Sequence, residues 1–159
     1  MNTTALMLRY EIQTFLDDYV ASIDQDRLEE WPNFFTEDCL YEIVPKENAD
    51  AGLPIGVIRC ENRRMLRDRV VSLRNANIYS PATYRHFLSG LQIEAENDTE
   101  ISCSCNYLVI NSNQLGQSYV YQTGRYYDRL VRRDGTFRFA SKRAIFDTAR
   151  VQTLLAIPI

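Results

Sequence analysis

One histidine, His86, is the scarcest functional resource in this 159-residue chain. A mononuclear non-haem iron site of the usual kind needs two histidines and a carboxylate, and a Rieske cluster needs two cysteines and two histidines. Neither set can be completed here, and a zinc hydrolase built on two or three histidines fails on the same count. The four cysteines, Cys39, Cys60, Cys103 and Cys105, contain no CxxC pair. Their spacing therefore suggests buried free thiols in a reducing compartment, with neither a zinc site nor a disulfide framework. No apolar run approaches the roughly 18 residues of a membrane-spanning helix. The segment MNTTALMLRYE lacks the basic start of a secretory signal, so the expected address is cytoplasmic. Lysine is nearly absent too, with two against sixteen arginines. A net charge of −3 argues against nucleic acid as a partner. The arginine bias points weakly to protein contacts, since guanidinium is less strongly hydrated than ammonium and pairs through a planar fork.

What is present reads as one α+β domain over residues 1–159. Leu8, Ile12, Phe15, Leu16, Tyr19, Val20 and Ile23 recur at spacings of three and four, which predicts an amphipathic helix from about Thr4 to Ser22. Asp26 and Glu29 resemble a capping box for a short second helix, with a turn at Trp31-Pro32 and a brief helical turn at Phe34-Phe35. Leu40 to Val44 reads as a strand, Pro45 to Gly56 as a loop, and Glu61 to Ala76 as a helix presenting Leu66, Val70 and Leu73. The period then changes to two. Strands are expected over Tyr84–Glu96, Ile101–Val109, Gln117–Arg133 and Thr136–Thr148, with turns at Asn97-Asp98 and Asp134-Gly135 and a loop over Asn111–Gly116. Helices followed by hairpin-connected strands imply a mainly antiparallel sheet. Strands this long must coil, so the sheet should curl into a cone closed by the helices.

Three stretches carry a family resemblance: RLEEWPNFFTEDCLYEIVP (Arg27 to Pro45), RDRVVSLRNANIYSPATYRHFLSG (Arg67 to Gly90) and TGRYYDRLVRRDGTFRFASKRAIFDT (Thr123 to Thr148, with Arg143 and Asp147 near its end). They resemble the small (beta) subunits of aromatic-ring-hydroxylating dioxygenases, nearest to those acting on terephthalate, then salicylate and anthranilate. The resemblance implies an NTF2-like, cystatin-related cone. It also implies a structural, non-catalytic role in an α3β3 hexamer with a large (alpha) subunit. That large subunit would carry the Rieske [2Fe-2S] cluster and the mononuclear Fe(II), fed indirectly by a reductase or ferredoxin.

The alternatives are a standalone NTF2-like dehydratase, isomerase or cyclase, or a ligand-binding module. Asp38, Tyr41, His86, Tyr107 and Tyr126 could supply an internal acid–base set for such chemistry, but ten tyrosines make chance juxtaposition common. The expectation is therefore no catalytic, cofactor-binding or metal-binding residue in this chain, with His86 structural or at an interface. Trp31 is expected to anchor the helix-to-strand junction in the core. The interface candidates are the strand Tyr119 to Tyr127, the pair Phe137 and Phe139, and the apolar segment Leu154 to Ile159.

Overall fold

The computed structural model describes residues 3–53, 55–75, 81–148 and 157–159. Helix α1 (Thr3–Asp24) begins and ends close to where the apolar spacing places it, and buries Ile12, Leu16, Tyr19, Val20 and Ile23. It stops where Asp26 takes a positive φ of 56°. The expected second helix does not form. The Asp26 and Glu29 carboxylates, which a capping box would direct at backbone N–H groups, instead both accept from Arg74. Its guanidinium lies 2.7 Å from Asp26 and 2.8 Å from Glu29. A 3-10 turn over Trp31–Phe34, with Pro32 near its start, leads into strand β1 (Phe35–Pro45). Phe35 thus opens a strand and does not extend the helical turn.

Two short elements went unread after Pro45: α2 (Lys46–Asp50), inside the expected loop, and the edge strand β2 (Ile58–Cys60), between that loop and the next helix. Each is too short for periodicity to reveal. Helix α3 (Arg63–Asn75) is capped by the Asn62 side-chain oxygen, which accepts from the Met65 N–H at 3.0 Å, and it buries Leu66, Val70 and Leu73.

Four long strands follow: β3 (Ala82–Glu96), β4 (Ile101–Asn113), β5 (Ser118–Arg133) and β6 (Thr136–Phe146). The order across the sheet is β2-β1-β6-β5-β4-β3, antiparallel throughout except for β1 beside β6. The β5–β6 turn is Asp134-Gly135, both at positive φ, as a two-residue hairpin with the right twist requires. Register shifts interrupt every long pairing, one of them around Gly90 at φ +64° in β3. Such bulges sharpen local twist and let strands of this length curl. The result is the expected NTF2-like cone, with α1 and α3 packed on the inner face of the curled sheet.

Trp31 sits at the junction of helix and sheet with no exposed surface. Its ring meets Phe35 and Tyr41 edge-on at 5.7 and 5.2 Å, and its indole N–H points at the Tyr19 hydroxyl, 3.3 Å away. Truncating a core aromatic costs about 3–5 kcal/mol. Trp31→Ala is therefore expected to lower the melting temperature by roughly 6–20 °C, since each kcal/mol shifts a domain of this size by about 2–4 °C. A calorimetric shift of only a degree or two would contradict this placement.

Segment Leu154 to Ile159 departs from its expected role. Its first three residues lie outside the described residues, but Ile157, Pro158 and Ile159 are buried against this chain's own core. Tyr19 and Tyr41 both donate their hydroxyls to the main-chain oxygen of Ile159, at 2.8 and 3.2 Å. The Ile159 N–H donates back to the Tyr41 hydroxyl at 2.9 Å. An apolar ending that looked suited to a neighbour instead closes the fold that carries it. Phe137 and Phe139 are corrected in the same way: both are core residues, with Phe139 packed on Phe15, Tyr19 and Phe35.

Candidate functional site

The interior of the cone holds the polar groups from which any chemistry would have to be built. His86 points inward from β3 with its ring fully enclosed. The Asp24 carboxylate at the end of α1 receives it twice, with Oδ1 2.6 Å from the ring Nδ1 and Oδ2 accepting the His86 backbone N–H at 2.8 Å. A carboxylate only accepts, so Nδ1 donates to Asp24 and the ring's remaining nitrogen is Nε2. That Nε2 is buried without a hydrogen-bond partner, as is the Asn111 Oδ1 on β4.

Deeper in the cone, Tyr107 donates to Gln122 Oε1 at 2.8 Å and stacks on Tyr126, with ring centroids 4.4 Å apart. Gly124 makes that approach possible. A Cβ there would lie 2.1 Å from the Ile145 oxygen and 2.8 Å from the Tyr107 hydroxyl, so no side chain fits. Burial raises the hydroxyl pKa of Tyr107 and Tyr126 well above the ordinary tyrosine value. Burial likewise pushes the Cys39 and Cys105 thiols up to about 11, which removes thiolate reactivity near neutral pH.

Lys142, one of the two lysines, is completely buried. Its Nζ lies 3.0 and 3.2 Å from the two oxygens of buried Asp128 and sits over the rings of Tyr126 at 3.4 Å, Phe139 at 4.5 Å and Tyr19 at 4.7 Å. The sequence reading missed this pair. An alternating strand that places Asp128 and Lys142 at inward positions was the available signal, and their pairing across the β5–β6 hairpin is the confirming register.

Of the candidate acid–base set, the structure stacks Tyr107 on Tyr126 and ties the other members to different partners. Asp38 lies exposed on β1 and joins none of the others. Tyr41 is engaged with Ile159, Tyr107 with Gln122, and His86 with Asp24. An oriented histidine with an open Nε2 has the geometry of a proton-transfer group, but no nucleophile or second acid is arranged opposite it among these side chains. The donors also do not fit an iron site. The single histidine has one nitrogen committed to Asp24, and among the described residues no group of three or more His, Cys, Asp or Glu side chains could hold a metal. Among the described residues, no helix is long and apolar enough to cross a membrane.

Comparison with known proteins places this geometry. Residues 20–153 match the family described as ring hydroxylating beta subunit. The small subunit of anthranilate 1,2-dioxygenase from Burkholderia cepacia is 58% identical over 94% of this chain and 93% of that protein. Beta subunit 2 of the terminal oxygenase component of terephthalate 1,2-dioxygenase from Comamonas sp. is 36% identical over 94% and 97%. A crystal structure assigned to the beta subunit of an aromatic-ring-hydroxylating dioxygenase from Novosphingobium aromaticivorans superposes with a TM-score of 0.90. It is 38% identical and covers 98% of this chain and 99% of its own. The order of likeness differs from the sequence expectation, which placed terephthalate first; the anthranilate relative has the higher identity of the two.

Proposed function

Because the chain belongs to the ring-hydroxylating dioxygenase beta-subunit family, we propose that it serves as the non-catalytic small subunit of an α3β3 oxygenase acting on an aromatic carboxylate, anthranilate ahead of terephthalate. The observation that carries the reading is the donor set. One histidine tied to Asp24 cannot supply the ligands of either iron centre that such chemistry requires, so the large subunit must. Electrons would reach that subunit from a reductase or ferredoxin, all in the cytoplasm. In this division of labour the cone's buried polar pairs keep a small subunit rigid enough to buttress a larger one.

Co-expression with the gene of the large subunit tests the proposal. Affinity capture through a tag on this chain should recover the large subunit in equal amount, with aromatic-acid turnover found only in the recovered complex. Turnover by this chain alone would overturn it.

The open Nε2 of His86 favours one competing reading, a standalone acid–base enzyme, and a single variant separates the two. His86→Ala should leave kcat of the assembled complex within about twofold while lowering its melting temperature. It leaves the buried Asp24 carboxylate with one donor fewer, a loss of about 1–3 kcal/mol. A kcat reduced by orders of magnitude in an intact complex would instead support chemistry at His86.

A further inference from the structure

We propose that the inner wall of the cone holds a binding site for a small phenol, whose hydroxyl lodges between His86 on β3 and Asn111 on β4. Such a site stands apart from the small-subunit role proposed above and does not depend on it. The His86 Nε2 and the Asn111 Oδ1 are both buried without a hydrogen-bond partner among the described residues. The two residues are only 6% and 4% exposed. Enclosed polar atoms in folded proteins are nearly always paired, so two of them on one wall point to a ligand that pairs them.

The register sets these atoms on neighbouring side chains. His86 pairs with Val109, and Asn111 stands two residues further along β4 on the same inward face. Diagonal neighbours in a sheet lie about 7–8 Å apart, a gap that two side chains and one bridging oxygen can span. Asp24 fixes the imidazole, 2.6 Å from Nδ1 and 2.8 Å from the His86 backbone N–H, so Nε2 has one set direction.

The pair selects the ligand's polar group. Oδ1 only accepts, whereas Nε2 accepts or donates according to the charge of the ring. A hydroxyl does both, giving its proton to Oδ1 while its oxygen faces Nε2; a carboxylate has no proton for Oδ1. The adjoining wall selects the rest of the molecule. Tyr84 pairs directly with Asn111, and its ring meets that of Tyr121 edge-on at 5.1 Å. Tyr121 is the extra residue of β5 where the register shifts between Val109 and Ile110, and both it and the next residue, Gln122, are buried. Bulges re-aim side chains in this way beside functional sites. Two aromatic rings next to a hydroxyl-sized polar pair suit an aromatic hydroxyl compound, whose ring packs edge-on or offset against them.

The lone histidine makes the test direct. In the full chain labelled with 15N-histidine, Nε2 of His86 gives a signal of its own, and phenol should move it saturably. Benzoate, with the ring but no hydroxyl, and cyclohexanol, with the hydroxyl but no aromatic ring, should each bind about tenfold more weakly or worse. Asn111→Leu should weaken phenol binding about tenfold, the effect of one buried hydrogen bond. Where that variant does not fold, Asn111→Ser, which stays polar but loses reach, should do the same. A signal unmoved by phenol would leave the two atoms to solvent and overturn the proposal. So would benzoate or cyclohexanol binding as tightly as phenol, or a folded Asn111 variant that binds phenol like the parent. Capture of the large subunit is unaffected by any of these results, so the two readings stand or fall separately.

Discussion

Lys142→Met is expected to cost about 3–5 kcal/mol at neutral pH, because it removes the counter-ion of a buried charge and leaves the other charge in place. Methionine keeps most of the length and the contacts with Tyr19, Tyr126 and Phe139, so the loss isolates the charge. What remains is the Asp128 carboxylate, whose charged partner among the described residues is Lys142. Even with that partner, burial outweighs the lysine's attraction and pushes the Asp128 pKa up to about 6 from an ordinary 3.8.

A raised carboxyl pKa means that the folded state binds a proton more tightly than the unfolded chain. The contribution of Asp128 to stability is therefore highest below about pH 4 and declines as pH rises through about 6, a slope of ~1.4 kcal/mol per unit where the two states differ by one proton. In Lys142→Met the attraction is gone, the carboxyl holds its proton to still higher pH, and the decline should continue past pH 6. Urea denaturation from pH 4 to 8 reads both effects. The deficit of the variant should shrink toward pH 4 and widen toward pH 8. Adding Asp128→Leu should recover much of the loss, as apolar replacement of a buried ion pair commonly does. A pH-independent deficit, or none, would contradict the account of the pair.

Removal of Ile157 to Ile159 should unfold the chain itself and not merely loosen an assembly. Ile157 and Ile159 are buried, and full burial of an isoleucine contributes about 1.5–3 kcal/mol. The same deletion strips the acceptor from two enclosed hydroxyls, Tyr19 and Tyr41, and each buried donor left unpaired costs about 1–3 kcal/mol. The total is comparable with the whole stability of a typical domain, about 5–15 kcal/mol. The truncated chain should therefore express insolubly or show no cooperative melting. Tyr19→Phe, which keeps the ring but not the hydroxyl, should give a folded protein with a modest loss and so isolates the contribution of the hydrogen bond. A truncated chain that melts like the parent would return this segment to the role of an interface candidate.

These contrasts show what was legible beforehand. The long elements were, because seven apolar positions in α1 and the alternation of β4 repeat many times over. The parallel contact between β1 and β6 was not, since pairing between strands distant in sequence leaves no local pattern. The apparent capping box at Asp26 and Glu29 failed for a similar reason: both carboxylates belong to Arg74, on a helix far along the chain. Apolar composition also does not say which side of an interface a residue occupies. Phe139 and Ile159 fill this chain's own core, while Phe87, left unremarked in the sequence reading, is exposed. The arginine excess is likewise partly internal, with Arg63 donating to the Phe35 carbonyl at 2.9 Å and Arg129 paired with Glu100 at 2.6 Å. At the candidate site, the single histidine spoke against a two-histidine iron centre or a Rieske cluster within this chain before any fold was known. The choice of Asp24 as the partner of His86 depended on where α1 ends against β3, which only the tertiary structure supplies.

The most direct test is iron and acid-labile sulfide analysis of the co-expressed complex after its two chains are separated under anaerobic, non-denaturing conditions. All iron and sulfide should travel with the large subunit, and this chain should contain none above the buffer blank while keeping its native circular dichroism. Stoichiometric iron remaining with this chain would contradict the account at its centre.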